Sequence, residues 1–249
     1  MVLSVSTFFF LVVFRTCCKD KTLSFYGIVV LAAGISGHLV PAEMNPELRS
    51  VLEVNFFGNV RLIQLALPHL RQVKGSRIVV ISSVTGVFPT GLMSSYCSSK
   101  FALEGFFNSL RRELYGRDIS VSIINAGAIR TDIWNSIQDS TLMEKLQVQN
   151  SDYKDLCQNI DHFSYVASEG SDKETSTTPA ILHALTGRFP SNQYFPLKFG
   201  KEPARLVAFA QWLIPARLFD WFADDPMFRL FKFRAPEFYA KLEEEKKKD

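Results

Sequence analysis

The 249-residue sequence predicts an α/β fold built on a doubly wound parallel sheet. Three observations predict it. Short runs rich in apolar and β-branched residues, FYGIVVL at 25–31, RIVVI at 77–81 and ISVSII at 119–124, are bounded by turn residues. Longer stretches between them carry apolar residues three and four apart, the spacing of amphipathic helices. Gly34, Ser83 and Gly127 then fall at the carboxyl ends of the three runs, where parallel sheets place their ligands.

Composition narrows the class. An apolar content of 47% against 21% charged residues is that of a globular chain able to bury one core, not of a disordered one. A formal charge of +3, with no basic stripe outside the C-terminal tail, argues against nucleic acid as a partner. The cysteines Cys17, Cys18, Cys97 and Cys157 have no framework spacing, and no N-x-S/T acceptor occurs. Both features lean toward a reducing, intracellular compartment, either cytoplasmic or at the endoplasmic reticulum membrane. His38, His69, His162 and His183 lack metal-ligand spacing and read as satisfied core or surface residues.

Residues 2–14, VLSVSTFFFLVVF, are almost wholly apolar and are followed by Arg15, Lys19 and Lys21. The run is short against the ~20 apolar residues of a membrane span. It lacks the basic start and small-residue cleavage site of a secretory signal. Three readings stand open: a buried strand, a short membrane-associating anchor, or a leader from an alternative start.

The run at 25–31 suits a strand buried on both faces of a parallel sheet. A helical pattern begins at Pro46 and continues through Asn55, Val60, Ile63, Leu67 and Leu70, with Gly75 as its stop. The strand at 77–81 runs on to Ser83. A second helix opens near Ser94 and ends about Gly116, and the strand at 119–124 follows. Beyond Thr131 the chain is polar through residue 160, and a cap-rich loop at 168–178 precedes a helix over Pro179 to Leu185. Trp212, Leu213, Ile214, Leu218, Phe219, Trp221 and Phe222 form an aromatic-aliphatic cluster beside Arg205 and Arg217. It reads either as a helix packed on the core or as a hydrophobic substrate mouth touching a membrane surface. KLEEEKKKD closes the chain as a solvated tail.

The chemistry concentrates at residues 76–105. Tyr96 and Lys100 lie one helical turn apart on one face. Standing alone, YxxxK is equally an ordinary pair on a solvated face. As a functional pair, an ammonium beside a phenol favours phenolate and lowers its pKa toward neutrality, so that Tyr96 could exchange a proton at working pH.

Ser83 precedes Tyr96 by thirteen residues, Asn55 stands upstream in VNFFG, and INAGAIRT follows at 124–131. In this order and spacing the motifs resemble the short-chain dehydrogenase/reductase family. Its signature is a Ser, then YxxxK about thirteen residues later, with an upstream Asn and a downstream PG…T. Ala126 stands where Pro is usual, and Leu31-Ala32-Ala33-Gly34 replaces the family's NNAG, losing an Asn hydrogen bond that supports the sheet in relatives. Residues 186–222, with RFP…Y and an LPARL-like segment, more loosely resemble the retinol and hydroxysteroid branch.

The resemblance implies a Rossmann-like fold and an oxidoreductase that interconverts a lipophilic alcohol, retinoid- or steroid-like, and its carbonyl by hydride transfer with NAD or NADP. It implies a catalytic set of Asn55, Ser83, Tyr96 and Lys100. Tyr96 would move the proton, Ser83 would bond the substrate oxygen, and Lys100 would hold the nicotinamide ribose. Asn55 would position Lys100 through water. Ala33, Gly34, Tyr96, Lys100, Gly127 and Thr131 would bind the cofactor.

One expected piece is missing. The family's TGxxxGxG turn, whose glycines let backbone N–H groups meet the pyrophosphate, does not occur, and the first glycine is Gly27. No residue selecting NAD over NADP is present either. The resemblance therefore spans about 25–222 and implies an N-terminally incomplete fold: a leader at 1–24, the dehydrogenase-like domain at 25–222 with 186–222 as its hydrophobic cap, and an extension with the tail at 223–249. A rival function follows. The chain would be a truncated, non-catalytic form that binds no cofactor and acts, if at all, by pairing with a complete relative. Apart from that rival, a homodimer is the expected assembly.

Overall fold

The structure is a computed structural model that describes residues 10–13, 27–127 and 177–196, together with positions 129, 152, 198–199, 202–203, 209 and 213. One sheet organises them. Strands β1 (Phe10–Val13), β2 (Ile28–Leu31), β3 (Ser76–Ser83), β4 (Ile119–Ala126) and β5 (Gln193–Tyr194) lie side by side in chain order. From β2 to β5 the pairing is parallel, with Val29 opposite Ile78 and Ile78 opposite Val121. β1 runs antiparallel along β2, Phe10 opposite Leu31. Of the three readings of the N-terminal run, a strand is what Phe10–Val13 adopts, but it turns the edge of the predicted parallel sheet antiparallel. Such an edge on a parallel sheet is common because it needs no crossover helix. Lys198–Phe199 and Glu202–Pro203 form a separate two-stranded antiparallel ribbon, β6 and β7.

The helices flank both faces. α1 (Leu48–Leu52), a π-helical segment (Glu53–Gly58) and α2 (Asn59–Leu70) form one continuous rod; α3 (Ser94–Glu113) and α4 (Thr178–Thr186) follow. Side chains alternate across a strand, and the burial divides accordingly. Val29, Leu31, Ile78, Val80, Val121 and Ile123 pack with Ile63 and Leu70 of α2 and with Leu103 and Phe107 of α3. Val30, Val79 and Ile124 point the other way, against Ala184 of α4. The central strands are thus apolar on both faces, the continuous pattern of a doubly wound sheet.

Gly75 ends the α2 connection at φ +73, a left-handed conformation natural to glycine, and its N–H is accepted by the Asp118 carboxylate 3.0 Å away. That bond ties the turn entering β3 to the turn entering β4. Among the described residues, no helix is long and apolar enough to cross a membrane. The Trp212–Phe222 cluster lies outside the described residues except for Leu213, which is exposed.

Candidate active site

Parallel strands bring their carboxyl ends to one edge, and the predicted residues gather there. Ser83 is the last residue of β3, in register with Ala126 at the end of β4; Ala33 and Gly34 follow β2, and Gly127 follows β4. α3 starts at Ser94 and lays Tyr96 and Lys100 along its buried stripe. Thr131 and the apolar 2–9 stretch lie outside the described residues.

Asn55 owes its position to the π-helical segment. A π turn is wider than an α turn and is concentrated at functional sites. Here the Asn55 carbonyl accepts from the Asn59 side-chain amide at 2.7 Å. The Asn55 side chain is fully buried and reaches the loop after β2. Its Oδ1 accepts from Ile35 N–H at 2.7 Å, and its Nδ2 donates to the Ile35 carbonyl at 2.9 Å and to Ser99 Oγ at 2.9 Å. Ser99 Oγ donates in turn to the Tyr96 carbonyl at 2.7 Å. Asn59 Nδ2 also donates to the Ala33 carbonyl at 3.1 Å. One rod thereby fixes both the loop after β2 and the turn of α3 that carries Tyr96.

The Lys100 ammonium donates to the Ile81 carbonyl of β3 at 3.2 Å and stands 5.4 Å from the centre of the Tyr96 ring. Gly34 faces it. A Cβ at Gly34 would lie 3.5 Å from both Lys100 Nζ and Asn55 Oδ1. The bare α-carbon thus leaves a small cradle bordered by a cation and an amide oxygen, at the strand end where ligands of such sheets bind. Tyr96 hydrogen-bonds Ser83, and Ser83 Oγ also accepts from the Thr85 N–H at 3.2 Å and hydroxyl at 2.9 Å. Leu92, in the loop just before α3, sits at φ +62, a strained conformation for a branched side chain.

The electrostatics reverse one expectation. Burial pushes the Tyr96 phenol up to about 12, because a phenolate there would lose its water; the Ser83 hydrogen bond pulls only partly the other way. Burial likewise pulls the Lys100 ammonium down to about 8, against the charge of Glu104. The predicted lowering of Tyr96 toward neutrality is therefore not what this environment gives. Spacing identified the neighbour correctly, but desolvation exceeds the attraction it supplies. Tyr96 is a protonated donor at neutral pH.

Glu104 was not singled out from the sequence. It continues the Tyr96–Lys100 stripe by one more turn, is buried, and accepts from Asn125 Nδ2 of β4 at 2.6 Å, Gln193 Nε2 of β5 at 2.9 Å and Asn108 Nδ2 at 3.3 Å. Burial raises its carboxyl pKa while these donors lower it. The available signal was the four-residue repeat Tyr96, Lys100, Glu104, which a surface Lys–Glu pair would produce equally well. Of the histidines, His38 Nδ1 meets Glu47 Oε2 at 2.8 Å and His183 Nδ1 meets the Tyr194 hydroxyl at 2.8 Å.

Comparison with known proteins places these motifs. The family described as short chain dehydrogenase matches residues 20–141. Mouse mitochondrial D-beta-hydroxybutyrate dehydrogenase is 31% identical over 196 residues, covering 74% of this chain and 56% of that protein. Rat retinol dehydrogenase 16 is 34% identical over 174 residues, covering 65% of this chain and 53% of the relative. The chain thus spans about half the length of these curated relatives. A short chain dehydrogenase from Burkholderia cenocepacia J2315, solved in complex with NADP, shares the fold with a TM-score of 0.56 at 18% identity, over 79% of this chain and 68% of that one.

Proposed function

Since this chain belongs to the short-chain dehydrogenase family, we propose that it interconverts a lipophilic alcohol, retinoid- or steroid-like, and its carbonyl, with NAD or NADP as the hydride carrier. One observation carries the reading: Ser83, Tyr96, Lys100 and Asn55 converge at the carboxyl edge of the sheet on one hydrogen-bonded frame. When bound, the nicotinamide donates or accepts the hydride. The cradle at Gly34 fits such a group, since Lys100 and Asn55 offer a cation and a polar oxygen beside bare backbone.

In the reducing direction, Tyr96 holds the proton that the carbonyl oxygen receives, and Ser83 orients that oxygen through its hydroxyl. Lys100 holds positive charge beside the phenol and would hold the ribose of a bound cofactor; Asn55 fixes the loop and the turn between which Lys100 lies. Thr131 and Gly127 complete the cofactor side in this reading. The lipophilic substrate class is supported by the apolar 212–222 stretch and by the rat retinol dehydrogenase relative. The hydroxybutyrate dehydrogenase relative sets the contrast, because its substrate is a small polar acid. Turnover of the purified chain with NADH and NADPH against a steroid ketone, retinal and a short keto acid tests the reading. Turnover confined to the short acid would reject the lipophilic class.

A second reading has its own observation. No TGxxxGxG stands in the 249 residues, so the chain as given would bind no dinucleotide by itself and would act, if at all, by pairing with a complete relative. Contact with a membrane surface, through residues 2–14 and 212–222, belongs with either reading. Co-sedimentation with liposomes that survives deletion of both stretches would overturn that contact.

A further inference from the structure

We propose that Glu104 is a positioning residue for Lys100: a buried carboxylate one turn further along α3 whose charge keeps the ammonium protonated beside the Gly34 cradle. This rests on the reading of Lys100 given above.

The geometry comes first. Tyr96, Lys100 and Glu104 occupy successive turns of one helix stripe, and all three are buried. A buried carboxylate carries a large desolvation cost unless it is bonded on several sides. Glu104 is so bonded: β4 supplies Asn125, β5 supplies Gln193, and α3 itself supplies Asn108. Three neutral amides, each donating an N–H, stabilise the ionised form. Asn125 Nδ2 additionally donates to the Ser83 carbonyl at 3.3 Å, so the same amide touches the strand end that carries Ser83.

The groups around Lys100 show why that charge counts. From β3 the ammonium has the Ile81 carbonyl; from the π-helical segment and the loop after β2 it has neutral Asn55 and Gly34. On α3 it faces the Tyr96 ring, with Cys97 adjoining. Asn125 and Gln193 are neutral. Among these groups Glu104 is the one anion, and its charge opposes the burial that would otherwise discharge Lys100.

The test needs neither cofactor nor substrate, so it is separable from failure of the proposed function. The full chain is labelled with carbon-13 at lysine Cε and glutamate Cδ and titrated by NMR. Lys100 is assigned by the signal missing in Lys100→Met, and Glu104 by the signal missing in Glu104→Gln. Glu104→Gln is expected to lower the Lys100 midpoint by at least about half a pH unit, a roughly threefold change in proton affinity. Asn108→Ala, which removes a hydrogen bond and leaves the charge, is expected to leave it in place. An unchanged midpoint in Glu104→Gln, or an equal shift in Asn108→Ala, overturns the proposal. Should Glu104→Gln fail to fold, Glu104 is assigned through Glu104→Asp and the parent decides. A Glu104 carboxyl still protonated where Lys100 titrates overturns the proposal, and one already ionised there supports it.

Discussion

Tyr96 carries its proton throughout the neutral range, because its phenol is held at about 12, whereas the Lys100 ammonium is held at about 8. The first consequence is kinetic. Carbonyl reduction should have its alkaline limb where Lys100 discharges, with kcat/KM falling as pH rises through about 8. Lys100→Arg should carry that limb to higher pH, since a guanidinium keeps its charge; an unmoved limb would assign it to another group. Tyr96→Phe keeps the ring and removes the proton, so a loss of at least about a hundredfold is expected, and a variant within about tenfold, ~1.4 kcal/mol of barrier, would remove Tyr96 from its role. The second consequence is thermodynamic. Lys100 binds its proton less tightly folded than at its ordinary 10.5, so the unfolded chain holds the extra proton between about 8 and 10.5. Stability should therefore rise with pH across that window. Lys100→Met should abolish this rise, which thermal melts at pH 8 and pH 10 would measure. At this scale the grouping of Asn55, Ser83, Tyr96 and Lys100 was legible, because the order and spacing of their motifs bring them to one strand edge. The sign of the Tyr96 shift was not: spacing reports a neighbour, while solvent exclusion depends on β3, α3 and the Gly34 loop closing together.

An element is felt most where another backbone passes close. Gly86, in the turn after β3, would place a Cβ 3.1 Å from the Lys100 carbonyl oxygen and 3.2 Å from its carbonyl carbon. Backbone cannot yield as a side-chain end can, so Gly86→Ala should cost about 1–3 kcal/mol and displace the turn of α3 that bears Lys100. Gly105 is the opposite case. It lies mid-helix in α3 with nothing within 4 Å of an added Cβ, so Gly105→Ala should gain up to about 1 kcal/mol from helix propensity. Denaturant melts of both variants should move in opposite directions; a stabilised Gly86→Ala would contradict the close packing of β3 against α3. The helical stretch from Pro46 to Leu70 was legible as one rod from its apolar spacing. Its π-helical segment was not, since the apolar period continues through VNFFG while the backbone widens around Asn55. What holds that widening is long-range, the Asn55 bonds to Ile35 and Ser99, and a local pattern cannot contain them.

For the whole molecule, apolar runs separated by helical patterns were enough to infer strands β2 to β4 and their parallel order, because two-faced burial favours short, largely apolar runs. β1 was not inferable as an antiparallel edge: an apolar run carries no signal of the direction in which it pairs, here Phe10–Val13 against Ile28–Leu31. A dinucleotide pyrophosphate is held by backbone N–H groups at a helix N-terminus, and no TGxxxGxG occurs in these 249 residues to supply them. The nicotinamide side retains Lys100, Tyr96 and the Gly34 cradle. Each charge-assisted hydrogen bond contributes about 1.5–3 kcal/mol, so two missing anchors correspond to a roughly 10²–10⁴-fold weaker complex than in a relative with the full turn. Calorimetric titration with NADH and NADPH should thus find weak or no binding by the chain as given. A chimera carrying a TGxxxGxG segment from a relative should restore it. Low-micromolar binding by the unaltered chain would show that other residues of this sequence build the pyrophosphate site. Restoration in the chimera, lost again on Lys100→Met, would establish that the edge formed by Ser83, Tyr96, Lys100 and Asn55 is a working nicotinamide site.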